Sequence, residues 1–176
     1  ALNCNVSSVV LNGSGSSQGG NFTYQWTGPG IVSGGNTTNP TVNQAGNYVI
    51  LVTNSTTGCT ASDNTTVTLT PAPSVTIPLV SHVTCNGSNN GSATASGSSG
   101  GGSYAYLWSN GANTAQASNL AAGTYTVTLT DADGCTATAS VSITQPAVLL
   151  ANASVTNETV PGANDGSATA NPTGGT

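Results

Sequence analysis

The chain has no lysine and no arginine, and its 176 residues carry five acidic side chains and one histidine, for a formal net charge of −5. A protein without a fixed cation cannot neutralise phosphates, so nucleic acid and anionic membrane surfaces are poor partners. The same absence removes every trypsin cleavage residue. Methionine is missing too, and no apolar run is long enough to cross a bilayer, which argues against membrane insertion. The imidazole and carboxyl groups that serve as general bases reduce to His82, Asp63, Asp131, Asp133, Glu158 and Asp165, spread along the whole chain. No catalytic residue is assigned on that basis. Two Gly-x-Ser-x-Gly matches, around Ser17 and Ser99, are expected by chance in a chain this rich in glycine and serine. Neither lies between a strand and a helix, as a nucleophile elbow requires.

What the chain does have is a phrase that occurs twice. The stretch QAGNYVILVTNSTTGCTASD (44–63) returns as AAGTYTVTLTDADGCTATAS (121–140), and Tyr24-Gln25-Trp26 returns as Tyr106-Leu107-Trp108. This is an internal repeat with a period of about 76 residues, the size of one small all-β domain. Apolar and polar residues alternate at FTYQW (22–26), and NYVILVTN (47–54) is apolar on both faces. Both are strand patterns, and no segment carries a helical stripe. Short strands with frequent turn signals, a Trp on the third strand and a Gly-x-Tyr where a tyrosine corner belongs predict an all-β fold. Its form is tandem immunoglobulin-like β-sandwich domains in an elongated array. Trp26, Tyr48, Trp108 and Tyr125 are the expected core anchors. The boundaries read as a domain at 1–71 without an opening strand, a domain at 72–146, and the N-terminal part of a third, truncated repeat at 147–176. That third start is marked by NDGSATANPTGG (164–175), which echoes NNGSATASGSSGG (89–101). The linkers PAPS (71–74) and TQPAV (144–148) are short and proline-bearing, as in a semi-rigid rod. Incomplete ends are read first as a simple truncation of a longer array, with strand exchange of segment 147–156 between neighbouring copies as the alternative.

Each complete repeat holds two cysteines, Cys4 and Cys59 in the first and Cys85 and Cys135 in the second. With no C-x-x-C and no companion histidine, the spacing argues against zinc and for one disulfide per complete domain, Cys4–Cys59 and Cys85–Cys135. Free thiols are the alternative. Such a closure stabilises by roughly 4 kcal/mol in the chain-entropy model, and it places the chain outside the reducing cytoplasm. Asp131-Ala132-Asp133-Gly134 begins like a calcium loop, which makes Asp131 and Asp133 weak calcium candidates. The later ligands are missing, and a hairpin turn explains the same residues. No other metal and no cofactor is expected.

The second repeat carries Cys85-Asn86-Gly87, Asn90-Gly-Ser-Ala-Thr94, Tyr104-x-Tyr106-x-Trp108-Ser-Asn-Gly111, Asn119-Leu-Ala-Ala-Gly-Thr-Tyr125, Thr130-Asp-Ala-Asp-Gly-Cys135 and Thr144-Gln-Pro146. In that order they resemble the SprB repeat, a module of very large surface adhesins of gliding bacteria. The first repeat is looser and resembles a related Ig-like or PKD-like module. In the tail, aligned on Gly-Ser-Ala-Thr-Ala, Val160 falls where Cys85 stands. The resemblance implies an extracellular or cell-surface filament exported by a type IX-like route, acting in adhesion or gliding motility. Its partners would be other repeats of the same protein, neighbouring copies, or surface glycans and proteins. Two other readings stay open: a carbohydrate-binding module, which needs exposed aromatics, and spacer domains of a larger secreted enzyme.

Overall fold

Alternating apolar residues separated by Gly, Asn and Ser turns give an all-β chain. The computed structural model describes residues 1–175, and no helix occurs among the described residues. The first repeat forms β1 (Val9–Val10), β2 (Phe22–Thr27), β3 (Ile31–Ser33), β4 (Thr41–Val42), β5 (Gly46–Asn54) and β6 (Thr60–Val67). They make two three-stranded sheets, β1-β4-β3 and β2-β5-β6. In the second sheet Trp26 lies opposite Ile50 and Tyr48 opposite Thr65, so every second residue of β5 points inward. Trp26, Tyr48, Ile50 and Val67 from that sheet meet Val42 from the other, with Leu2 and Leu11 completing the core. Two sheets sharing one apolar interior are a sandwich of the immunoglobulin type.

The second repeat builds the same object from β7 (Ser74–Ser81), β8 (Gly91–Ser98), β9 (Ala105–Trp108), β10 (Gln116–Leu120), β11 (Gly123–Thr130) and β12 (Thr136–Ile143). Its sheets run β10-β8-β7 and β12-β11-β9. Ala93, Ala95, Ala117 and Leu120 of one sheet pack with Trp108, Val127 and Ile143 of the other, and Val75 and Ile77 of β7 add a partly buried flank. The tail folds as a hairpin of β13 (Ala153–Thr156) and β14 (Ser167–Ala170), exposed throughout. Strand β13 therefore pairs within its own chain, and exchange of segment 147–156 between copies gains no support.

The anchor residues are held in matching ways. Tyr48 is fully buried and its hydroxyl donates to the Gln44 carbonyl at 2.7 Å; Tyr125, half-buried, donates to the Ala121 carbonyl at 3.2 Å. Both bonds reach back four residues, as a tyrosine corner does. The Trp26 Nε1–H donates to the Thr37 carbonyl and the Trp108 Nε1–H to the Thr114 carbonyl, each at 3.0 Å. Both indoles are buried, so neither forms a sugar-binding platform.

The compact units do not coincide with the sequence repeats. One comprises residues 1–74 together with the loops 98–104 and 130–137; the other comprises 75–97, 105–129 and 138–176. The cysteines follow this division and overturn the expected pairing. The bond is Cys4–Cys135, while Cys59 and Cys85 are free and exposed. Strand direction explains why. Cys59 immediately precedes β6, whereas Leu2 forms a parallel bridge with Leu69, beyond the other end of β6. Eight strand residues at about 3.3 Å each separate the two ends by roughly 26 Å, and a disulfide spans Cα atoms no more than about 7 Å apart. The second repeat repeats this arrangement. Cys135 precedes β12 and the Val83 N–H donates to the Thr144 carbonyl just past its end, so Cys85 and Cys135 lie at opposite ends of that strand. Neither sandwich is clamped from within.

Candidate functional site

A polar cluster surrounds the Cys4–Cys135 bond, and all of it belongs to the first compact unit. On one side is the loop Asn3–Val6. Its shape is set by the Asn3 carboxamide, whose Oδ1 accepts from the Asn5 and Val6 N–H groups at 2.9 and 2.8 Å. This Asx turn projects Cys4 outward and aims Asn5, whose Nδ2 donates to the Asp133 carbonyl at 2.7 Å.

On the other side is the turn Asp131–Cys135. The Asp131 N–H donates to the Cys135 carbonyl at 2.9 Å and the Gly134 N–H to the Asp131 carbonyl at 3.1 Å, closing the hairpin. Gly134 has φ 79°, the left-handed conformation that brings the chain round in so few residues. The Asp131 carboxylate is buried, and both its oxygens accept peptide N–H groups. Oδ1 takes Asp133 and Cys135 at 3.0 and 2.8 Å, and Oδ2 takes Gly101 at 3.0 Å. The Gly101 N–H chiefly holds this carboxyl below the ordinary aspartate range. Burial opposes it, and the N–H groups of Cys135, Asp133 and Gly134 add to it. Asp131 thus ties the loop 98–104 to the cysteine turn. Gly100, at φ 77°, packs so closely that a Cβ there would meet Asp131 Oδ2 at 2.5 Å.

This donor set decides how Asp131 and Asp133 stand as calcium candidates. Three peptide N–H groups point at the Asp131 oxygens, and N–H donors repel a cation from the lone pairs it needs. The residues do not fit a calcium ion. The turn chemistry accounts for them, with Asp131 serving the covalent link.

Two titratable side chains elsewhere are hydrogen-bonded to nearby backbone. His82 Nδ1 accepts the Thr144 N–H at 3.1 Å, and Glu158 accepts the Gly162 N–H at 3.1 Å. The serine-motif residues Ser17 and Ser99 offer their carbonyls to Tyr24 and Tyr104 hydroxyls. Among the described residues no group of three or more His, Cys, Asp or Glu is gathered at one place. A groove of about 870 Å³ opens in the first sandwich, lined in part by Leu11, Gly13, Phe22, Trp26 and Ile50.

Sequence reasoning found Asp131, Cys4 and Cys135 but assigned them different partners, and it missed Asn5 and Gly101. The residues around the cysteines carry no signal of the pairing; strand direction, which puts the two cysteines of each repeat at opposite ends of its last strand, decides it.

No curated protein matches the chain. Among solved structures it is similar to the three N-terminal domains of the highly immunogenic outer capsid protein of bacteriophage RB49. That likeness has a TM-score of 0.48 and 19% identity over 87% of this chain and 59% of that one. It is similar to a C-terminal fragment of intimin, in complex with the intimin-binding domain of its translocated receptor, at 0.42 and 15%, over 75% of this chain and 55% of that. An amphioxus IgVJ-C2 molecule gives 0.40 and 17%, over 79% and 97%. The chain spans less than two thirds of the first two structures. The model of the SprB repeat matches residues 80–113, from the end of β7 through β9 and into the turn after Trp108. The matched stretch is thus similar to the SprB repeat and lies within the second of two immunoglobulin-like sandwiches.

Proposed function

We propose that this chain is a non-enzymatic structural and adhesive module of a secreted cell-surface protein, exported by a type IX-like route and acting as a semi-rigid extracellular rod. The domain limits are those of the sequence repeats, 1–71, 72–146 and a third beginning at 147. Support for the third comes from a clasp that recurs at the repeat distance. The Thr84 N–H donates to Asn90 Oδ1 and Asn90 Nδ2 to the Thr84 hydroxyl; likewise the Thr159 N–H and hydroxyl donate to the Asp165 carboxylate.

The observation that carries the reading is the Cys4–Cys135 bond, which joins the first sequence repeat covalently to the second across 131 positions. A catalytic domain needs a cleft with convergent reactive groups. A rod needs continuity under load, and a bond that bypasses the linker supplies it. In the chain-entropy model closing a loop this long stabilises by about 5 kcal/mol.

Single-molecule pulling from the two ends tests this. With the bond intact, the residues between Cys4 and Cys135 cannot extend. Reduction should release a further contour length of roughly 470 Å, at about 3.6 Å per residue. Equal contour lengths with and without reductant would remove the mechanical role.

A further inference from the structure

The single histidine of the chain, His82, stands where the second repeat is tied to the linker that leaves it. In the first repeat the corresponding tie is made by backbone. Just past the last strand, the Leu2 N–H donates to the Thr68 carbonyl and the Thr70 N–H donates back to the Leu2 carbonyl, each at 2.8 Å. By the spacing from Cys59 to Cys135, Thr144 and Pro146 are the counterparts of Thr68 and Thr70, and Val83 takes the place of Leu2, two positions before its cysteine. The first bond returns, from the Val83 N–H to the Thr144 carbonyl at 3.0 Å. The second cannot, because proline has no N–H to give.

Side chains bridging the loop 82–87 and the linker take its place. The Thr144 N–H donates to His82 Nδ1 at 3.1 Å, the Gly87 N–H to Gln145 Oε1 at 2.9 Å, and Asn86 Nδ2 to the Pro146 carbonyl at 2.9 Å. Three consecutive linker residues are thereby held by one loop, all within the second compact unit. The amide groups of this clasp do not titrate, but the imidazole does. Its Nδ1 accepts only while unprotonated, with the proton on Nε2. Once protonated, both ring nitrogens are donors, and an Nδ1–H would face the Thr144 N–H.

The surroundings bring no charge that would offset this. Strands β7 and β12 carry no charged or titratable side chain, and neither does segment 144–148. The loop itself adds only the Cys85 thiol. The two acids of the unit, Glu158 and Asp165, bond to Gly162 and Thr159 within the tail.

We propose that His82 is an acid-released latch on the linker. While neutral it holds the Thr144 N–H, and the start of the linker is fastened to the loop 82–87. On taking a proton it lets go, and the joint between the second sandwich and the tail gains freedom. Histidine is the only side chain that ordinarily changes charge between about pH 5 and 8, so the latch responds where the rest of the chain does not. It operates whether or not the chain serves as a rod.

The test is an NMR titration of the isotope-labelled full chain from about pH 8 down to about pH 5. The ring C–H signals of His82 report its protonation, and the amide signals report the clasp. As the ring protonates, protection of the Thr144 amide against water exchange, corrected for intrinsic rate, should fall about two- to tenfold, the range of one hydrogen bond. Its midpoint should coincide with that of the ring. His82→Asn puts a carboxamide Oδ1 where Nδ1 stands, an acceptor that does not titrate, and should keep the Thr144 protection in acid. His82→Ala should lower it equally at both ends of the range. The position is exposed, so both variants should fold. Thr144 protection that stays level while the ring protonates fully would overturn the proposal, as would loss of that protection in acid by the Asn variant.

Discussion

Two segments at equivalent positions behave in opposite ways. The segment VVLNGSGSS (9–17) opens with β-branched residues yet contributes a strand of two residues, β1. Its counterpart GSATASGS (91–98), made of small residues with poor strand preference, forms an eight-residue strand, β8. The difference lies in the neighbours. Strand β8 sits between β10 and β7, and its alanines face a core that Val75 and Ile77 help to close. Strand β1 pairs only with β4 among the described residues, and the groove of about 870 Å³ lies along Leu11 and Gly13. Strand length here is set by the partners available for backbone hydrogen bonds, more than by the residue's own preference.

The comparison can be broken first at the covalent bond. Reducing Cys4–Cys135, or replacing Cys135 by Ser, should cost about 5 kcal/mol against urea, whereas Cys59→Ser should change stability by less than about 0.5 kcal/mol. Because each sandwich holds one tryptophan, fluorescence of single-Trp variants assigns the loss to a repeat. Next come the tryptophans themselves. Trp108→Ala should destabilise the second sandwich by about 3–5 kcal/mol, and Trp26→Ala should cost the first less, since its indole borders the groove. Hydrogen exchange of the β11 and β5 amides reads the two effects separately, and equal losses would show that the groove does not matter to the core.

The tyrosine corners offer a finer contrast. Tyr48→Phe removes a bond from a fully buried ring and should cost about 1–3 kcal/mol, while Tyr125→Phe, half-exposed, should cost about 0.5–1 kcal/mol in the same denaturation assay. The smallest effect is on pH dependence. The Asp131 and Asp165 carboxyls both titrate below the ordinary aspartate value of 3.8, the first held down chiefly by the Gly101 N–H and the second by the Thr159 hydroxyl. A depressed folded pKa gives stability that is full above the ordinary value and is lost as pH falls through the folded midpoint. Carboxyl NMR titration should place both midpoints low. Asp131→Asn should remove the acid-dependent loss of amide protection at Gly101 and Cys135 and leave the tail hairpin unchanged.

Much of this molecule was legible before folding. The alternation at 22–26 and the run at 47–54, apolar on both faces, became β2 and β5, and the repeated phrase became a corner, a strand and a hairpin in both sandwiches. The two-residue β4 and the short β3 and β10 carried too little pattern to stand out, because their place is fixed by ladder partners distant in sequence. The Asp131 cluster was half legible. The turn residues announced a hairpin, but nothing near them in sequence points to Gly101 or Asn5, which arrive from other loops.

Local periodicity, turn residues and spacing by themselves determined the strands, the repeat and the aromatic anchors, since each depends on residues a few positions apart. The partners of the four cysteines were decided only by tertiary structure. Cys4 and Cys85 share one local context and Cys59 and Cys135 another, so the sequence around them cannot say which bonds to which. The decision falls to strand direction, which carries the two cysteines of each repeat to opposite ends of its last strand, beyond the reach of a sulfur–sulfur bond.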